Sequence, residues 1–130
     1  AAPRSFYPIG RSAAGDELTR DRERAKWVRR QIRHRRAREQ FFPSDLFADP
    51  AWDMLLDMFA ARLERQAVSV SSLCIAAAVP ATTALRWIKT LTDAGLFIRE
   101  ADAQDGRRIF IAMSDKAFEA MERYLEALAE

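Results

Sequence analysis

The 130 residues are 49% hydrophobic and 31% charged, a balance that fits one globular core and excludes a low-complexity or fibrous chain. No stretch approaches the roughly 18 uninterrupted apolar residues of a membrane helix, and the first residues lack the apolar run of a signal peptide, so a cytoplasmic protein with no membrane contact is expected. The net charge of +2 hides an asymmetry: between Arg20 and Arg38 ten basic residues stand against Asp21 and Glu23, a local net of +8 that leaves −6 for the rest.

Pro3, Pro8, Gly10 and Gly15 mark residues 1–15 as an extended arm. From Asp16, Leu18, Ala25, Val28 and Ile32 form an apolar stripe on a basic amphipathic helix that ends near Gln40, within a segment 16–42. Asp49-Pro50 opens a second helix, since aspartate caps the free amides and proline suits the first helical position; Trp52, Leu55, Leu56, Phe59 and Leu63 then recur at helical spacing. Val68-Ser69-Val70 allows only a short strand. Ser71 is expected to cap a third helix through Leu73, Cys74 and Ala77, and Val79-Pro80 interrupts it.

A fourth helix is predicted from Ala81 to Ala94, with Ala84, Trp87, Ile88 and Leu91 turned inward and Gly95 as a left-handed cap. The β-rich segments Leu96–Arg99 and Ile109–Met113 flank the polar connector Asp102–Arg108, in which Gly106 permits a tight tip and an aspartate, Asp102 or Asp105, can clamp Arg108. Ser114 then caps a last helix with Phe118, Met121, Leu125 and Leu128 along its apolar stripe.

Two helices joined by a tight turn, the second running straight into a hairpin, make the layout that places a recognition helix in the DNA major groove. Thr82, Thr83, Arg86, Lys89 and Thr90 supply hydroxyls and cations, no acid precedes Asp93, and Pro80-Ala81 leaves the first amides open to a phosphate. In the connector, Arg107 is placed to enter an electronegative minor groove, beside Gln104 and Arg108.

Over Ser71-Ser72-Leu73, Thr82-Thr83 with Arg86, Leu91, Gly95-Leu96 and Asp102-x-x-Asp105-Gly106-Arg107-Arg108, the chain resembles the MarR family of winged helix-turn-helix regulators. The resemblance implies a mostly α fold with a two-stranded wing: one domain over 16–130, with a winged-helix core at 50–113 and a C-terminal helix at 114–130. It also implies that Thr82, Thr83 and Arg86 read the major groove and Arg107 the minor groove of a pseudo-palindromic operator, and that the terminal helices build a homodimer. Leu18, Trp27, Val28, Ile32, Phe118, Met121 and Leu125 are the expected interface residues. The sequence departs from the family pattern at Ala78, where the turn commonly has glycine, at Gln104, which replaces a basic wing residue, and in its short C-terminal helix.

Arg29, Arg30, Arg33 and Arg36 have three candidate jobs: DNA phosphates, acids such as Glu119, Glu122 and Glu126 across a dimer, or solvation. A winged helix that uses its basic helix to grip an acidic protein is the rival reading. Phe41, Phe42, Phe47 and Trp52 are expected in the core, with a pocket for a small-molecule effector as the alternative. Apolar neighbours make Cys74 a structural thiol, and His34 has no second His or Cys near it to share a metal. There is no nucleophile with a base and no phosphate-binding glycine loop, so neither an enzyme nor a cofactor is expected.

Overall fold

The computed structural model describes residues 15–129; the arm expected at residues 1–15 lies outside them except for Gly15. Helix α1 (Gly15–Ala37) runs into a 3-10 turn (Arg38–Gln40). Then follow α2 (Pro50–Glu64), β1 (Val68–Ser69), α3 (Val70–Ala76), α4 (Ala81–Asp93), β2 (Phe97–Ala101), β3 (Ile109–Met113) and α5 (Asp115–Leu128). The strands form one antiparallel sheet in the order β1-β3-β2, with Val68 opposite Ile111 and Arg99 also opposite Ile111 from the other side. This is the winged helix-turn-helix expected from the sequence, with β1 as the wing's third strand.

Helix α2 is the centre of the core. The Asp49 carboxylate accepts from the Trp52 amide and Pro50 fills the first turn, while Met54, Leu56, Met58, Phe59, Ala60, Ala61 and Leu63 are all buried. Apolar residues on nearly every side let one helix pack against α1, α3, α4 and β3 at once. Val28 of α1, Leu73 of α3, Ile88 of α4 and Ile111 of β3 complete the interior. Phe118 lays its ring on Phe59 at 5.0 Å between centroids, which ties α5 to α2.

Several local expectations change. The cap of α3 is Ser69, whose hydroxyl accepts from the Ser72 amide at 3.1 Å; β1 pairing holds Ser69 extended, so the helix starts before Ser71. Trp87 is 38% exposed, because Ala84, Ile88 and Leu91 alone fill the buried stripe of α4. Gly95 does take the left-handed cap (φ +79°), with the Leu96 amide donating to the Leu91 carbonyl and the Gly95 amide to that of Thr92, a Schellman closure that sends the chain straight into β2. Ala78, in the turn between α3 and α4, sits at φ +56°, a conformation that costs a residue with a Cβ about 1 kcal/mol. Phe41, Phe42 and Phe47 belong neither to the core nor to a common pocket. All three are exposed in the α1–α2 loop, and only Trp52 packs inward.

Candidate nucleic-acid interface

The chain bends by 109° between α3 and α4, and α4 packs one face on α2, α3 and β2 while the other is left to solvent. With Ala84, Ile88 and Leu91 inward, helical geometry turns Thr82, Arg86, Lys89 and Thr90 to solvent, and all four are exposed. Ala81 is exposed in the first turn, and Thr83 is half-buried at one edge. Lys89 Nζ reaches Asp93 at 2.7 Å, an exposed pair worth little energetically. The Thr90 hydroxyl donates to the Arg86 carbonyl at 3.1 Å. Arg86 has no acidic partner among the described residues.

The wing is shaped by aspartates acting on the backbone. Buried Asp102 accepts from the Gln104 amide at 2.9 Å, its own amide donates to the Arg108 carbonyl at 2.8 Å, and the Arg108 amide donates to the Asp105 carbonyl. The expected clamp on Arg108 does not form: its guanidinium stacks over the Phe110 ring at 4.9 Å. The aspartate holds the neighbouring residue, with Asp105 Oδ1 accepting from Arg107 Nε at 3.2 Å and from its amide at 3.1 Å. The Arg107 side chain stays 94% exposed. Gly106 does not adopt the left-handed conformation found at Gly95, so the tip does not depend on it.

The arginines of α1 turn elsewhere. Arg29 bridges Asp57 at 2.6 Å and Glu64 at 2.8 Å on α2; burial opposes its charge, but the two acids outweigh burial and hold the guanidinium's pKa above its ordinary value. Arg35 Nε and Arg36 Nη2 converge on the carboxylate of Asp53, which is buried, at 2.6 and 2.8 Å. Arg24 reaches Glu122 of α5 at 3.4 Å within the same chain. Arg29 and Arg36 are therefore not free phosphate ligands; Arg30 and Arg33 are exposed with no ion pair among the described residues. The sequence did carry a signal for this arrangement: Asp53, Asp57 and Glu64 are spaced by four and seven, on one face of α2.

Val28 and Met121, expected at a dimer interface, are buried inside the single chain and have no surface to offer a partner. Leu18, Ile32, Phe118 and Leu125 keep part of their surface, and Trp27 and Leu128 are exposed. Between α1, α2 and α5 lies a cleft of about 380 Å³ lined by Trp27, His34, Arg35, Trp52, Tyr124 and Leu128. Trp52 and Tyr124 meet edge to face at 5.3 Å, and Arg35 Nη2 is buried without a hydrogen-bond partner. Cys74 is half-buried, and desolvation raises its thiol pKa, which disfavours the reactive thiolate. Ile75 and Leu85, to which the sequence reading gave no role, are large, apolar and exposed, and so is Trp87, which was expected to turn inward.

Residues 56–117 match the family of winged helix DNA-binding domains. Among solved structures, the chain is similar to a MepR–DNA complex from S. aureus, with 18% identity and a TM-score of 0.57 over 80% of this chain and 81% of that one. It is also similar to the transcriptional regulator PA4135 (13% identity, TM-score 0.55, 92% and 78% of the two chains) and to NadR in complex with 4-hydroxyphenylacetate (18%, 0.52, 92% and 77%). No curated protein matches the sequence.

Proposed function

We propose that this chain, which carries a winged helix DNA-binding domain in a MarR-like fold, is a transcription regulator that binds double-stranded DNA in a sequence-specific way. The observation that carries the reading is the pairing of an exposed, cation-bearing α4 face with the exposed Arg107 at the wing tip. Helix α4 enters a major groove, where Thr82, Thr83 and Arg86 meet base edges and Lys89 the flanking backbone, whereas Thr90, whose proton is held by the Arg86 carbonyl, has no donor for a phosphate. Ala81 leaves the first amides of α4 close to a phosphate. Arg107 enters the adjacent minor groove, with Gln104 and Arg108 beside it.

The regulator acts as a homodimer on a pseudo-palindromic operator, with Trp27, Leu125 and Leu128 on the α1–α5 face as anchors between copies. The cleft between α1, α2 and α5 holds a small-molecule effector. Its aromatic walls, Trp27, Trp52 and Tyr124, suit a flat ligand. The rival reading, a basic helix that grips an acidic protein, loses support because Arg24, Arg29, Arg35 and Arg36 already hold acids of their own chain.

Selection from random duplex DNA, with binding followed against salt, tests the main reading. An enriched two-fold motif and a log–log salt slope of several units are expected. A flat salt response without an enriched motif overturns it.

A further inference from the structure

The hydrogen-bonding equipment of α4 is thinner than its sequence suggests. The hydroxyls of Thr90 and Thr92 spend their single protons on the carbonyls of Arg86 and Ile88. A back-bonded threonine has only acceptor lone pairs and a methyl left to offer. Against this stands an apolar feature: Leu85 is 50% exposed in the N-terminal half of the helix, one turn after exposed Ala81. Residues four apart share a helix edge, so Ala81 and Leu85 form a short apolar strip beside Thr82 and Lys89. Water gains nothing from such a strip, and the stripe of Ala84, Ile88 and Leu91 already seats the helix without it.

We infer that Ala81 and Leu85 form a reader of thymine 5-methyl groups in the major groove, so that each operator half-site carries thymine at a fixed register opposite them. The inference rests on the DNA-binding reading above and adds to it the base that is recognised. Thymine alone among the four bases presents a methyl group in that groove, and apolar side chains pack on it. The flanking cations Arg86 and Lys89 favour a polyanion over an apolar protein partner for this surface. The exposed guanidinium of Arg107 points independently to A·T pairs, since a narrow A·T-rich minor groove concentrates negative potential.

The test uses the full chain and the duplex selected by it from random DNA. Each thymine is replaced singly by uracil, which pairs identically and lacks only the methyl. Wild type is expected to lose about fourfold in affinity at one or two thymines per half-site, the factor that burying one methyl-sized group supplies. Leu85→Ala, and Leu85→Gln as a second variant, should bind the thymine and uracil duplexes alike, with an unchanged salt slope and an unchanged melting temperature. If wild type tolerates uracil everywhere, or if both variants keep the thymine preference, the methyl reader is overturned while DNA binding stands. If no duplex is selected and binding ignores salt, the DNA reading falls and takes this inference with it.

Discussion

Helix α1 and the α4–wing surface both present arginine, and they use it in opposite ways. In α1 the charge is dense and its inward arginines are spent: Arg35 and Arg36 close on Asp53, whose side chain is 6% exposed, and Arg29 spans Asp57 and Glu64. In α4 and the wing the charge is sparse but exposed, with Arg86 in solvent and Arg107, paired only with the adjacent Asp105, almost fully exposed. Much of the local net charge of +8 therefore belongs to a seam inside the molecule, and the surface proposed to face DNA is set apart by solvent exposure, its ion pairs being made only with neighbours in the same helix or the same wing tip. The physical reason lies in α2: a central helix with an acidic edge needs a basic helix to cover it.

The largest effect should come from breaking the seam. Asp53→Ala leaves two guanidinium groups partly buried without their common carboxylate and should destabilise the protein by about 3 kcal/mol, measured by urea denaturation. Operator affinity should not change at temperatures where the variant is folded. A variant as stable as wild type would mean that the Arg35–Asp53–Arg36 cluster contributes nothing net. On the other surface, Arg86→Ala and Arg107→Ala should each cost about 1–3 kcal/mol of specific binding, with stability unchanged, and Arg86→Ala alone should relax base preference. Operator binding unaffected by both substitutions would break the docking of α4 and the wing.

The element order was legible because its punctuation is chemical. Asp49-Pro50, Ser114 and Gly95 each satisfy or terminate a helix end in a way few other residues can, and periodicity did the rest. What could not be read was whatever depends on which faces meet. Ser69 and Ser71 both suit a cap, and β1–β3 pairing decides between them. Trp87 looks like a core residue until three smaller side chains are seen to complete the stripe. The seam was half legible: the spacing of Asp53, Asp57 and Glu64 marks an acidic edge on α2, but that α1 covers it needed the packed structure. At the site, the cations of α4 and Arg107 were legible from residue type, whereas exposed Leu85 and the stacking of Arg108 on Phe110 needed the packed structure.

Ala78 separates stability from binding in the other direction, since it is a strained residue within the half proposed to face DNA. Ala78→Gly relieves a backbone at φ +56° while adding freedom to the unfolded chain, so a net gain of no more than about 0.5 kcal/mol is expected by thermal unfolding, with operator affinity unchanged. A loss of stability would mean that the alanine Cβ makes contacts worth more than the strain.

The smallest expected effect is the most demanding test of the division. Arg30 and Arg33 are exposed and unpaired among the described residues, so they alone of the four α1 arginines first considered could still reach phosphate. Yet α1 packs on α2, the helix against which α3 and α4 also pack, and its inward arginines show which way it faces. The Arg30→Gln, Arg33→Gln double variant should therefore bind the operator with a log–log salt slope within about 0.5 of wild type. Each arginine that touches a phosphate would lower the slope by about 0.9. A drop near two would place α1 on the DNA, and the seam and the interface would then share one helix.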